Sequence, residues 1–255
     1  AVTNGCDQLL ILHPPRNTGD VFMQIFNADG SEVEACGNGA RAVAAYLASL
    51  GTPEPVIETL GGTLQAHAPR REERSGGIIQ FPGIIMPTPR FAWQDIPLAE
   101  EVADTSQVTL HPDLPPAFMV NVVNPHAVIF VDGGTGGLAA QYGFELEKNR
   151  LLPEGANINI AACKGDNIIE LDTWERGAGL TKACGTGACA TAIAAIELGA
   201  TRLPDGTLRT EVDIIPPVNQ DRNESDIITI RYQPGAETYI MRGPAEFEFD
   251  GKVSL

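Results

Sequence analysis

Two cysteines in this chain stand in the same short frame. Ala35-Cys36-Gly37-Asn38-Gly39-Ala40-Arg41-Ala42 runs into Val43-Ala44-Ala45-Tyr46-Leu47. Ala183-Cys184-Gly185-Thr186-Gly187-Ala188-Cys189-Ala190 runs into Thr191-Ala192-Ile193-Ala194-Ala195-Ile196. The shared pattern, A-C-G-x-G-A-x-A before an alanine-rich run, places each cysteine where the chain enters a helix. The first turn of a helix presents N–H groups with no intrahelical acceptor, and its dipole is positive there. A thiolate is favoured at such a point, where cysteine pKa values fall from near 8.5 to roughly 3.5–7.5. The flanking glycines let backbone approach a ligand, and the same N–H groups can hold a carboxylate. Two such sulfurs suit the inversion of a carbon that carries a weakly acidic proton. One takes the proton from one face while the other returns a proton to the opposite face. Fixed N–H donors would stabilise the enolate-like carboxylate that develops.

The repetition is what separates Cys36 and Cys184 from ordinary packing, since a free cysteine among small residues is usually core. Cys189 lies inside the second helix, and Cys6 and Cys163 stand at strand ends, so all three are expected to be structural. His13, His67 and His111 have no chemical context. No C-x-x-C spacing occurs and the cysteine count is five, which argues against a zinc ribbon and a disulfide framework.

A net charge of −16 argues against nucleic acid or an anionic membrane as a partner, because phosphate binding needs a basic patch. No apolar run approaches the ~20 residues of a membrane helix. Residues 1–7 show neither a basic n-region nor an apolar h-region, so the expected compartment is the cytoplasm.

The elements that must position the cysteines read as an α+β pattern built twice. Strands are expected at 9–12, 21–26, 56–59, 63–67 and 78–81, followed by a helix-bearing second half with strands at 117–123, 127–131, 157–162, 168–173, 212–215, 227–232, 238–242 and 246–249. Helices are expected over 41–50, 138–148 and 183–198, the first and last ended by Gly51 and Gly199. Residues 69–75 read as an exposed turn and 173–182 as a loop. The Pro- and acid-rich stretch 83–116 reads as the link between the halves.

Several segments in order resemble the diaminopimelate epimerase family, whose members are isomerases that use no cofactor. They are Phe26-Asn27-Ala28-Asp29-Gly30-Ser31-Glu32 ahead of the first cysteine frame, Asn124-Pro125-His126-Ala127-Val128, Pro153-Glu154-Gly155-Ala156-Asn157, Glu175-Arg176-Gly177-Ala178-Gly179 ahead of the second frame, and Gly243-Pro244-Ala245. The resemblance implies a fold of two pseudo-symmetric domains, each a mostly antiparallel, barrel-like sheet around a central helix. It implies domains at 1–84 plus 243–255 and at 85–242, with the active site between them. It also implies the interconversion of LL- and meso-2,6-diaminopimelate in lysine and peptidoglycan precursor biosynthesis, by a homodimer without metal or organic cofactor.

Carried over by residue, the resemblance makes Cys36 and Cys184 the base and acid pair, with His126 and Glu175 managing their protons. Gln8, Asn27, Asn124, Asn157 and Arg176 would bind substrate, all but Gln8 at its distal amino and carboxyl groups. Backbone amides of Gly37, Asn38, Gly185 and Thr186 would receive the carboxylate at the reacting carbon. The chain departs from the family pattern in two places. A G-x-G-N-D-F segment is expected ahead of Asp7-Gln8-Leu9 and is not found there, and Leu180 stands where the family often has Glu. Three alternatives stay open. In proline racemases the first frame reads C-G-H-G, whereas this chain has Asn38. Phenazine-type isomerases lack the cysteine pair. A non-catalytic binder of diamino diacids would keep the fold without turnover.

Overall fold

A computed structural model describes residues 8–34, 36–74, 77–165, 167–181, 184–201, 205–207, 209–215, 227–248 and 250–251, with side chains for all but 72–74 and 77–78. Cys6, Asp7, Ala35 and Ala183 lie outside the described residues. The chain divides into two compact units, Ala1–Ile85 with Arg242–Leu255, and Met86–Met241.

In the first unit, β1 (Gln8–His13), β2 (Val21–Asn27), β4 (Val56–Thr59), β5 (Gly62–Arg74) and β6 (Gly77–Met86) pair in that order, and the short β3 (Glu32–Val33) pairs with β2. All these pairs are antiparallel except β2–β4. Helix α1 (Gly37–Ser49) runs from β3 to β4. The helix packs against β5, with Ala40, Val43, Ala44, Ala45 and Ala48 buried and Ala42, Tyr46 and Ser49 exposed. Leu50 ends the helix, and Gly51 takes a φ of 104° just beyond, the left-handed conformation that glycine adopts without a steric penalty.

The second unit repeats this order. Strands β9 (Asn157–Cys163), β10 (Ile168–Glu175) and β11 (Gly179–Thr181), helix α3 (Gly185–Glu197), and strands β12 (Glu211–Ile215), β13 (Ile228–Gln233) and β14 (Thr238–Arg242) follow the same connectivity as β1, β2, β3, α1, β4, β5 and β6. The register is repeated too. Ile25 faces Val33 and Phe26 faces Glu32, while Thr173 faces Thr181 and Trp174 faces Leu180. These pairs keep the frame that relates Cys36 to Cys184. The central strands pair in parallel in both units, β2 with β4 and β10 with β12. The second unit adds β7 (Ala117–Asn121), β8 (Pro125–Phe130) and α2 (Leu138–Glu147), with β8 parallel to β9. Helix α3 touches β7, β8, β9, β10, β12 and β13, and every residue from Gly187 to Ile196 is buried. Only a helix of small side chains fits so closely inside a sheet. The fold is therefore α+β, with a central helix in each unit. The strand paths of both units are open among the described residues rather than closed into barrels.

Five expectations are corrected. Of the expected turn, residues 70–74 continue β5 as a ladder to 77–81 of β6, past a register shift between His67 and Arg70, which pairs their backbone groups, while Ser75 lies outside the described residues. Residues 173–181 hold the end of β10 and all of β11, joined by a turn in which Gly177 has positive φ, as has Gly179 at the start of β11. Residues 246–248 form no strand, and the nearby pairing is a single bridge from Gln80 to Ala245. The stretch 83–116 begins as the end of β6. Its remainder is no linker, for Ile96, Leu98, Val108 and Leu110 lie in the core with Met119, Ile129 and Ile158. The helices begin at Gly37 and Gly185, so α1 starts four residues before its expected position and α3 two residues after.

Candidate active site

Each cysteine is the N-cap of its helix. Cys36 is extended (φ −146°, ψ 115°) and its Sγ accepts from the Gly39 N–H at 3.3 Å. Cys184 is extended (φ −126°, ψ 110°) and its Sγ accepts from the Gly187 N–H at 3.3 Å. The first intrahelical bonds run from Ala40 to Cys36 O and from Ala188 to Cys184 O. The amides of Gly37, Asn38, Gly185 and Thr186 therefore precede the helical ladder and are available to an acceptor.

In the first unit, Gln8 and Asn27 face each other across β1 and β2. Gln8 Nε2 donates to Asn27 Oδ1 at 3.0 Å, and Asn27 Nδ2 donates to Ser31 Oγ at 3.1 Å. The Asn27 side chain is thereby fixed at the tip of the hairpin that leads to Cys36. A Cβ on Gly39 would meet the Leu10 methyls at 3.1 and 3.2 Å, so the floor beneath this helix start is apolar.

In the second unit the equivalent floor is polar. His126 on β8, Asn157 and Asn159 on β9, and Thr173 and Glu175 on β10 come from three adjacent strands whose register places His126 opposite Asn157 and Asn159 opposite Thr173. His126 is fully buried. Its Nε2 lies 2.8 Å from Asn124 Oδ1 and its Nδ1 lies 3.0 Å from Asn159 Nδ2. Burial, with the Arg176 guanidinium adding, pushes the imidazole pKa down to about 3, so the ring is neutral. Arg176 donates its backbone N–H to Asn157 Oδ1 at 2.9 Å and Nη1 to Glu154 O at 3.3 Å.

Glu175 lies against Cys184, and its carboxylate accepts from Thr181 Oγ1 at 2.7 Å. Burial pushes the Cys184 thiol up to about 12 and the Glu175 charge adds to this, outweighing the Thr186 hydroxyl and the Gly187 N–H. The sequence argument from a helix N-terminus alone expects a lowered value. Desolvation of Cys184, a residue only 8% exposed, reverses the direction.

Glu147 on α2, also buried, accepts from Trp174 Nε1 at 2.8 Å and from the Gly177 N–H at 3.3 Å, and so braces the hairpin that carries Glu175 and Arg176. Asn159, Thr173, Thr181 and Glu147 were not singled out from sequence. The signal for the first two was the alternation of Asn157-Ile158-Asn159-Ile160 and of Thr173-Trp174-Glu175, which puts the polar members on one strand face.

This chain matches the sequence profile for diaminopimelate epimerase over residues 2–79 and 118–214. The diaminopimelate epimerase of Sphingopyxis alaskensis is 41% identical over 98% of this chain and 82% of its own length. That of Erythrobacter litoralis is 45% identical over 82% of this chain and 75% of its own. A solved hydroxyproline epimerase from Agrobacterium vitis, with trans-4-hydroxy-L-proline bound, aligns with a TM-score of 0.58 over 92% of this chain and 71% of its own, at 14% identity, a likeness of fold alone. With its duplicated cysteine caps and an identity of this size along nearly its whole length, the chain belongs to the diaminopimelate epimerase family.

Proposed function

We propose that the chain interconverts LL- and meso-2,6-diaminopimelate by proton transfer at the α-carbon, without an organic cofactor. The observation that carries this reading is the pair of sulfur-capped helix starts, Cys36 on α1 and Cys184 on α3, each with its sulfur on the amide three residues on. Inversion needs one group that takes the α-proton and a second that supplies one. Cys36 and Cys184 fill these roles in this reading, with Glu175 beside Cys184 exchanging the thiol proton and His126 serving as a neutral proton-holding group. The amides of Gly37, Asn38, Gly185 and Thr186 receive the carboxylate whose charge grows as the proton leaves. Gln8, Asn27, Asn124, Asn157 and Arg176 hold the substrate, the last four at the amino and carboxyl groups that do not react.

The name carried by the curated relatives supports diaminopimelate as the substrate. A homodimer and a cytoplasmic location complete the reading. Among the described residues no helix is long and apolar enough to cross a membrane, and light scattering of the purified protein tests the dimer.

Proton NMR of LL-diaminopimelate with the reduced protein in D₂O tests the reaction. Loss of the α-proton signal with growth of the meso form is expected. Cys36→Ser and Cys184→Ser should each abolish interconversion while the fold is retained. A folded, reduced wild-type protein that binds the diacid without exchanging its α-proton would overturn the catalytic reading and favour a binding protein.

A further inference from the structure

Beneath the helix capped by Cys184 lies one amide with three neighbours. Asn159 is fully buried. Its Nδ2 reaches His126 Nδ1 at 3.0 Å, and its Oδ1 accepts from Thr173 Oγ1 at 3.1 Å. The same Oδ1 lies 2.6 Å from where a Cβ on Gly187 would stand, and the Gly187 N–H is the group bonded to Cys184 Sγ. Asn159 thus touches both the imidazole and the first turn of α3.

The pattern of donors fixes the imidazole. An amide NH₂ can only donate, so Nδ1 is the acceptor and a neutral ring carries its proton on Nε2. On the other side, Asn124 presents its Oδ1, an acceptor, to Nε2 at 2.8 Å. Asn157 Nδ2 lies farther from Nε2, at 3.4 Å, and donates to Pro125 O. Thr173 supplies the hydroxyl donor that keeps Asn159 Oδ1 turned away from the ring. The repeat gives the contrast. In the first unit, Leu10 occupies the place under Gly39 that Asn159 occupies under Gly187, and Ile25 stands where Thr173 does.

We propose that Asn159, oriented by Thr173, is a positioning residue that holds His126 as the Nε2–H tautomer and turns that N–H toward Asn124 Oδ1. This inference deepens the function proposed above and rests on it for its catalytic consequence. With its lone pair on Nδ1 engaged by Asn159, the neutral ring presents only an N–H donor, at Nε2, and its plane is set before substrate arrives.

The test is ¹⁵N–¹H correlation of histidine side chains in protein labelled at histidine, with the His126 signals assigned by their loss in His126→Gln. The wild-type ring should show the Nε2–H tautomer. Asn159→Asp replaces the NH₂ donor with an acceptor of the same shape, so its ring should carry a proton on Nδ1. Turnover should fall about 10²-fold with KM within a few-fold, the size of a misplaced proton donor. Thr173→Val, nearly isosteric, frees Asn159 to turn and should give a mixed tautomer and a smaller loss. It serves as the reading if Asn159→Asp does not fold.

A wild-type Nδ1–H ring would overturn the proposal. So would an unchanged tautomer in the variants, or a reversed tautomer at full turnover. Absence of α-proton exchange by the wild-type protein would instead overturn the reaction assigned above, and the tautomer result alone would then decide the role of Asn159.

Discussion

Burial and the Glu175 carboxylate together hold Cys184 as a thiol, its pKa pushed up to about 12. A protonated sulfur beside a carboxylate is an acid with its own base at hand. Turnover needs both, whereas simple reactivity of the sulfur needs only thiolate. The two properties should therefore respond oppositely to Glu175→Gln. The amide keeps an oxygen for Thr181 Oγ1 and removes the charge that disfavours thiolate. Alkylation of Cys184 by iodoacetamide at pH 8, read peptide by peptide by mass spectrometry, should accelerate several-fold, a modest gain because burial is the larger cause and remains. In the wild-type protein the same rate should still be climbing at pH 10, since a raised pKa leaves most of the sulfur protonated there. Epimerisation by the variant should fall by about 10²-fold or more. Unchanged or slower alkylation would mean that the charge of Glu175 does not reach the sulfur.

At the scale of elements, the two helix starts were legible because their signal is chemical as well as periodic: a capping residue, glycines, then a run of small apolar residues. The strands β3 and β11 were hidden by length, since two or three residues carry no period, and their register comes from the turns that precede the cysteines. The core role of Ile96, Leu98, Val108 and Leu110 was hidden by composition. These residues are irregularly spaced among prolines and acids, and only their packing on β7, β8 and β9 makes them core. Asn159 was visible as one member of an alternating strand, but its partner on β8 depends on a parallel pairing that no local pattern announces. The duplicated floors yield a prediction about the helices themselves. Gly187→Ala drives a methyl to 2.6 Å from Asn159 Oδ1 and 3.2 Å from Thr173 Oγ1, groups locked in a bonded chain. Gly39→Ala meets the Leu10 methyls at 3.1 and 3.2 Å, which can rotate away, and Cys36 Cβ at an ordinary contact distance of 3.6 Å. The first should cost about 1–3 kcal/mol. The second should be near neutral, because a helical alanine recovers up to ~1 kcal/mol over glycine. Urea midpoints for the two variants measure the difference, and equal losses would show that the floors are equally rigid.

Across the whole molecule the repeated module is embedded to different depths. Helix α3 is enclosed by six strands and hides Gly187–Ile196 without interruption, whereas α1 turns Ala42, Tyr46 and Ser49 to solvent and has Val43, Ala44, Ala45 and Ala48 as its inner face. Amides exchange by the cheapest opening that exposes them. Segments with less buried apolar area open below the global unfolding free energy. Hydrogen exchange should therefore separate two helices that share a sequence frame. Peptides covering 188–196 should take up deuterium only on the timescale of global unfolding, and those covering 40–48 at least about ten times faster under the same conditions. The slow helix carries Cys184 over its polar chain of Thr173, Asn159 and His126, where angles and tautomer must be kept. The faster one carries Cys36 over Leu10, a contact that tolerates adjustment. If both helices exchange at one rate, the units unfold as a single cooperative block and the difference in burial has no consequence for opening. If they separate as expected, the duplication has yielded one rigid and one yielding half from the same frame.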